Sequence, residues 1–256
     1  MNEYMKRNII ENSWHQFLYG YNTAERTDFL REIAREYPIT LNKDCPQAIY
    51  MKDFSLPTLK YSHKVDKDLL KAASESYFDF CIYTQLLDEV LKTDYERELN
   101  GREQIFLEYI NNILLSSDFA KIENLTSLRD AFLKAKNFYQ QFYVSTITGE
   151  TLITSYEELP ISSIPIQDSY MRKFKDMINN SSYFALIIDV KEKLPVISQQ
   201  AINGYVTTRI TSYFSMKVAC DPNQWLTYYD LTGEIAENTH DYSNVELDNS
   251  LKDQLE

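Results

Sequence analysis

The eight residues from Gly20 to Thr27 (GYNTAERT) carry the residue types and part of the spacing of a phosphate-binding loop. Such a loop follows the pattern G-x-x-x-x-G-K-[ST]. Its glycines let backbone N–H groups wrap phosphates, its lysine neutralises them and its hydroxyl holds Mg²⁺. Gly20 and Thr27 match the first and last positions, whereas Glu25 replaces the second glycine and Arg26 the lysine. These four residues are therefore candidates for a degenerate nucleotide site.

A further candidate follows the apolar run 183–188 (YFALII), which ends at Asp189. In nucleotide hydrolases of the phosphate-loop class, an Asp at such a strand end helps to hold Mg²⁺. A Glu usually follows it and polarises the attacking water, but here Val190 stands in its place. Asp189 is thus a candidate Mg²⁺ ligand, and the sequence offers no catalytic residue beside it.

Three differences from a working loop predict weak or absent ATP binding and negligible hydrolysis. Without a second glycine, fewer N–H groups can converge on a phosphate. Glu25 adds negative charge at a helix N-terminus that would otherwise attract phosphate. Val190 removes the water-orienting carboxylate. Purely structural interpretations also stand: Asp189 as a strand-end cap, Thr27 as an ordinary helical residue, and Glu25 as a favourable partner of the helix dipole.

Alternating strands and helices must position these residues. A helix is predicted over 26–37, stopped by Pro38, and another over 196–210. Interleaved strands and helices predict a mostly parallel α/β sheet, and ligands of such sheets bind at the carboxyl ends of the strands. Gly20 and Asp189 both lie at such ends. The predicted strands, with 183–188 central, cover 15–19, 48–51, 183–188 and 214–219.

Long helical patterns interrupt this alternation. Apolar residues recur with i, i+3, i+4 spacing through residues 66–143, which predicts two or three packed helices inserted between strands. Residues 144–168 are rich in turn signals and form the best candidate for an internal linker, and 168–179 are predicted to be helical. We therefore expect one domain over 1–256 with a helical insertion at about 66–143.

Composition restricts the partners. The 256 residues include 26 Lys and Arg against 38 Asp and Glu, a formal net charge of −12, with no basic stripe. Direct DNA binding is not expected, because phosphate neutralisation supplies most non-specific affinity. The three cysteines lack metal-site spacing, and no apolar run is long enough for a signal peptide or a membrane span. These features predict a cytoplasmic protein without membrane contact.

The quoted motifs and the segments around them resemble a known family. Two segments are similar to the AAA+ ATPase domain related to the origin-recognition-complex proteins: FLYGYNTAERTDFLREI and, further along the chain, FALIIDVKEKLPVISQQAINGYVTTRITSYFSMKVACDPN. The bacterial members found beside mobile elements and defence genes are the most similar group. A downstream segment, LTGEIAENTHDYSNVELD, resembles the family's stretch after the strand that corresponds to 214–219 here. The resemblance covers roughly residues 10–55 and 180–248 and implies an α/β P-loop NTPase-like fold.

The resemblance also implies an ATP site built by Gly20, Arg26, Thr27 and Asp189, with Arg209 as an arginine projected toward a neighbour's nucleotide or simply a surface residue. Combined with the altered motifs, it indicates a pseudo-ATPase that binds a protein partner: an active ATPase, an effector or a second copy. No cofactor is then expected. The alternative is a slow NTPase that binds Mg-ATP and is completed by a neighbouring subunit. A third interpretation is a structural α/β protein with chance similarity to the motifs.

Overall fold

The structure is a computed structural model that describes residues 3–52, 54–57, 67–113, 122–149, 168–207 and 213–247. The chain divides into two compact units. Unit 1 comprises Met1–Ile39, Asp44–Ser55 and Ser182–Glu256, and unit 2 comprises Thr40–Lys43 and Leu56–Ser181. Each unit builds its own core, so each is described separately.

Unit 1 contains a five-stranded sheet. Its described strands are β1 (His15–Tyr19), β2 (Gln47–Met51), β3 (Phe184–Asp189), β4 (Phe214–Cys220) and β5 (Tyr242–Glu246). The strand order is β2-β3-β4-β1-β5, and each neighbouring pair is parallel. The three interior strands are buried along almost their whole length, which explains their continuous apolar runs.

The helices of unit 1 are α1 (Glu3–Glu11), α2 (Thr23–Glu36) and α8 (Val196–Thr207). Alternate strand residues pack with α1 and α2 into one core, which we call the α2 face of the sheet. Its members include Ile10, Leu18, Leu30, Ala185 and Ile187. On the opposite face, Phe17 contacts the aromatic rings of Trp225, Tyr228 and Tyr242, with ring centroids 4.7–5.6 Å apart.

Unit 2 is helical in its described part. Its helices are α3 (Lys67–Leu91), α4 (Tyr95–Glu98), α5 (Arg102–Ile113), α6 (Leu125–Thr148) and α7 (Asp168–Ile178). Helix α6 begins with a capping box between Asn124 and Ser127 and ends at Gly149, whose φ of 73° suits a left-handed cap. Buried aromatic rings join the helices, with Phe80 of α3 stacked on Tyr139 of α6.

The predicted fold class is confirmed, because the observed sheet is parallel and contains all four predicted strands. Strand β3 lies in the interior as expected, but the middle position belongs to β4. The sequence did not predict α1. The predicted linker 144–168 lies largely outside the described residues, and α6 occupies its first part through Thr148. A single domain with an insertion at about 66–143 stays a prediction.

Two buried amides on α8 hold an extended segment of unit 1. Gln199 Nε2 donates to the carbonyls of Leu194 and Gln224, and its Oε1 accepts the N–H groups of Leu226 and Thr227, at 2.7–3.3 Å. Asn203, one turn later, donates to the carbonyls of Thr227 and Tyr229. This amide clamp takes the place of strand pairing for residues 224–227, because side chains satisfy several of their backbone groups.

His15 at the start of β1 is fully buried beside the similarly buried Lys217 of β4. Its Nδ1 accepts the N–H of Met216 at 2.9 Å, and its Nε2 has no hydrogen-bond partner within the described residues. Burial, followed by the charge of Lys217, lowers the pKa of His15 to about 3. A proton on Nδ1 would also oppose the Met216 N–H. The folded protein therefore keeps this imidazole neutral.

We expect the stability of the protein to decrease as the pH falls below the ordinary histidine pKa. Between about pH 6.5 and 3 the unfolded chain binds a proton at His15 that the folded chain does not bind, so about 2 kcal/mol is lost by about pH 5. His15→Gln should remove this part of the pH dependence in urea unfolding at about pH 5 and 7. His240→Gln is the control, because the His240 side chain is 54% exposed. Equal slopes for all three proteins would contradict the assignment.

Candidate nucleotide site

The candidate site lies at the carboxyl ends of three neighbouring strands. Gly20 follows β1, Asp189 ends β3, and β4 runs between them. Gly20 N donates to Cys220 O, and Val190 N donates to Ala219 O. The residues directly after β1 and β3 are therefore still hydrogen-bonded to β4. Neighbouring strands are spaced by about 4.8 Å, so the β1 and β3 ends lie about 10 Å apart on the two sides of β4. We call the space between them, beyond the end of β4, the gap. A ligand of this site would have to occupy that gap.

The side chain of Arg26 fills the gap. Arg26 lies in the first turn of α2, yet only 2% of it is exposed. Its Nη1 donates to Gly20 O at 2.5 Å, its Nη2 donates to Val190 O at 2.7 Å, and its Nε donates to Asp189 Oδ1 at 3.2 Å. The planar guanidinium, with donors on several sides, thus bridges β1 to β3 across the end of β4.

Both carboxylate oxygens of Asp189 accept hydrogen bonds in the same arrangement. Its Oδ1 accepts from Arg26, and its Oδ2 accepts from Thr27 Oγ1 at 2.5 Å and from the Tyr50 hydroxyl at 2.8 Å. The Arg26 and Asp189 side chains are each 1% exposed, so this ion pair is buried. Burial, followed by the hydrogen bond to Asp189, raises the pKa of Tyr50 well above its ordinary value. Tyr50 therefore remains a protonated donor.

The start of α2 satisfies one of its free backbone N–H groups through a side-chain cap. Asn22 is the N-cap, and its side-chain oxygen accepts the N–H of Glu25 at 3.3 Å. Glu25 is an exposed acidic residue in the first turn, where it interacts favourably with the helix dipole. A phosphate-binding loop directs such N–H groups at its ligand. Here the N–H of Glu25 is already bound by the Asn22 side chain.

Mg-ATP does not fit this arrangement of residues. Arg26 stands where the loop would have its lysine, and its guanidinium donates to protein oxygens. Asp189 is the candidate Mg²⁺ ligand, and both of its carboxylate oxygens accept hydrogen bonds from protein groups. The hydroxyl of Thr27 is directed at Asp189. A nucleotide could enter only after these buried contacts had been broken.

Other groups border the site without completing a catalytic set. Cys220, at the end of β4, is fully buried, and burial raises the pKa of its thiol to about 12. It is therefore a protonated thiol rather than a nucleophile. On the outer side, the guanidinium of Arg31 and the ammonium of Lys191 lie 5.6 and 6.0 Å from the centre of the Tyr50 ring. Both cations are thus within cation–π distance of the Tyr50 ring, whose hydroxyl binds Asp189.

Four of the predicted site residues come together: Gly20, Arg26, Thr27 and Asp189. Glu25 lies at the surface of the first turn of α2, and Arg209 falls outside the described residues. Sequence reasoning missed Tyr50. The alternation within β2 could have indicated it, because residues i and i+2 of a strand point to the same face of the sheet. Ala48 belongs to the α2 face, so Tyr50 lies on that face as well.

The described residues lack two further features that would bear on function. They hold no group of three or more His, Cys, Asp or Glu side chains arranged to bind a metal ion. None of the described helices is both long and apolar enough to cross a membrane.

Comparison with known proteins gives one match that covers most of the chain. The protein-family model described as ORC-CDC6-like matches residues 47–256. A curated Plasmodium falciparum (isolate 3D7) protein, described as a probable inorganic pyrophosphatase, is 28% identical over 127 residues. That match covers 46% of this chain and 33% of the other protein, so the chain spans about a third of its relative's length. No solved structure matches.

Proposed function

The chain belongs to the ORC-CDC6-like family, and from this premise we propose that it is a degenerate AAA+ domain that acts as a protein-interaction or regulatory module and not as an ATPase. The observation that carries the proposal is the buried Arg26–Asp189 ion pair, whose guanidinium also binds the carbonyls of Gly20 and Val190. One protein side chain thus takes the place of the phosphates and the metal ion together.

The energetics of the pair oppose nucleotide binding. Separating one partner of a buried ion pair from the other costs about 3–5 kcal/mol. A nucleotide would first have to offset this cost, which corresponds to a loss of affinity of about 10²- to 10⁴-fold. The new contacts would also have to form in a loop without a second glycine. The arrangement therefore favours a permanently closed site.

The alternative, a slow NTPase that uses Arg26, Thr27 and Asp189, requires these three side chains to face a ligand. In the structure they bond to one another, which favours the pseudo-ATPase. A protein partner in the cytoplasm and a place in a mobile-element or phage-defence assembly are further parts of the proposal, and they rest on the resemblance of the motifs. Direct DNA binding is not part of it, given the net charge of −12.

We expect calorimetric titration of the purified chain with Mg-ATP to show no saturable binding, and phosphate release over hours to equal that of buffer. The reason is that the side chains of Arg26, Thr27 and Asp189 already bind protein partners. Thermal unfolding with and without about 1 mM Mg-ATP provides a second readout, since a ligand that binds only the folded state must raise its stability. Binding or turnover that disappears in Asp189→Ala would overturn the proposal.

A variant with a reopened loop controls for the sensitivity of these assays. Glu25→Gly combined with Arg26→Lys removes the surface carboxylate and shortens the donor, since a lysine ammonium cannot reach Gly20 O, Val190 O and Asp189 together. This variant should bind Mg-ATP more tightly than the natural chain. Glu25→Gly alone should behave as the natural chain, because Glu25 makes no contact with the ion pair.

A further inference from the structure

Residues 228–230 and 234–236 form a short antiparallel ribbon on unit 1. Asp230 N donates to Glu234 O and Ala236 N donates to Tyr228 O, at 2.8 and 2.9 Å. The connecting turn is built by Asp230, whose Oδ1 accepts the N–H groups of Thr232 and Glu234. Tyr229 and Ile235 face each other as a bridge pair between these two hydrogen bonds. In such a pair the two side chains lie close together on one face.

The outward face of this ribbon is apolar where a solvent-facing ribbon would be polar. Its inward face packs normally, because Ala236 is buried and the ring of Tyr228 contacts Phe17. Its outward pair, Tyr229 and Ile235, is 52% and 45% exposed. Alternation with one buried face predicts polar residues at the outward positions. An aromatic and β-branched pair stabilises the ribbon across its two strands, and about half of each residue remains exposed to a partner.

The stretch of sequence that contains the pair is acidic. From residue 218 to residue 251 the chain contains seven acidic residues and no Lys or Arg. Glu234 and Glu237, which flank Ile235 along the chain, are both exposed. The ribbon therefore presents an apolar centre with a negative rim, an arrangement that suits a partner of opposite charge with an apolar anchor. It would repel nucleic acid and anionic membranes.

We propose that the outward face of the ribbon, centred on Tyr229 and Ile235, binds a basic segment of a partner protein through an aliphatic anchor flanked by lysine or arginine. The anchor packs between the Tyr229 ring and the Ile235 side chain, and the flanking cations lie against Glu234 and Glu237. This inference rests on the proposed function, since it names the class of partner that the interaction module takes.

The test uses the full chain and a short fluorescein-labelled peptide of Lys, Leu and Ser as the probe, followed by fluorescence anisotropy. We expect saturable binding that weakens as salt rises from about 50 to 300 mM. Tyr229→Ser with Ile235→Ser should weaken it at least about tenfold, and Glu234→Lys with Glu237→Lys should do the same. A peptide with Glu for Lys, or with Ser for Leu, should not bind measurably.

Matched controls come from the α2 face, on the other side of the sheet. Tyr4→Ser removes an aromatic ring that is 75% exposed on α1, and Glu11→Lys with Asp28→Lys changes the charge as much as the ribbon variant does. Both controls should bind the peptide normally. The inference fails if binding is absent, if the ribbon variants match the controls, or if the ribbon variants change only self-association in sedimentation. The failure of the proposed function would appear separately, as nucleotide binding.

Discussion

Replacing Arg26 with methionine is expected to lower the free energy of unfolding by about 3–5 kcal/mol, the largest effect that we expect from a single substitution in this chain. The substitution leaves the carboxylate of Asp189 buried at 1% exposure without its cation. It also removes the donors that satisfy the carbonyls of Gly20 and Val190. Urea unfolding monitored by circular dichroism measures the loss.

A double-mutant cycle separates the ion pair from general packing. Asp189→Leu alone should also be strongly destabilising, because it leaves the Arg26 guanidinium buried without its anion. Arg26→Met with Asp189→Leu should be far less destabilising than the sum of the two single changes, because two apolar side chains need no partner. Arg35→Met, an exposed change on the same helix, should stay within about 0.5 kcal/mol of the natural chain. Additive single effects would show that the two residues are not coupled.

Replacing Gln199 with alanine is expected to lower the free energy of unfolding by about 3 kcal/mol. The change removes four hydrogen bonds and leaves the N–H groups of Leu226 and Thr227 without their acceptor. Each hydrogen bond of this part-buried kind contributes about 0.5–1.5 kcal/mol net. Because the amide clamp holds the segment that leads into the ribbon, amide hydrogen exchange at residues 226–229 should also become faster.

The neighbouring glutamine provides a matched control for the clamp. Gln200 lies on the same helix and makes one long hydrogen bond, 3.4 Å from its Nε2 to Asp230 O. Gln200→Ala should change the stability by less than about 1 kcal/mol and leave the exchange of residues 226–229 unaltered. If the two variants behaved alike, the clamp would contribute nothing beyond an ordinary surface amide.

The buried site and the exposed ribbon suggest how a nucleotide-binding fold can serve a different purpose. In a working site, the strand ends must stay open for phosphate and metal. Here the side chain of Arg26 joins the β1 and β3 ends through hydrogen bonds, without a ligand. The segment that follows β4 is held by α8 on the opposite face of the sheet from α2. Binding of the proposed partner at the ribbon would therefore require no change at the strand ends.

Much of the fold was predictable from the sequence. The run FALIID is continuously apolar because β3 is buried on both faces, and it ended within one residue of its predicted position. The strand before Gly20 matched its predicted bounds. Helix α1 was missed because its hydrophobic stripe is narrow and its only buried residues are Lys6, Ile9 and Ile10. The burial of Lys6 depends on Glu32 and Glu36 of α2, a contact distant in sequence.

The sequence by itself placed four residues in the candidate site (Gly20, Arg26, Thr27 and Asp189), because a parallel sheet places the ends of its strands at one edge, and Gly20 follows one strand while Asp189 ends another. It could not determine what Arg26 does there. An arginine in the first turn of a helix can face water or turn inward, and the local pattern is the same in both cases. Only the tertiary structure decided, because the order β3-β4-β1 leaves a gap of two strand spacings, lined by the oxygens of Gly20, Asp189 and Val190, that a guanidinium spans.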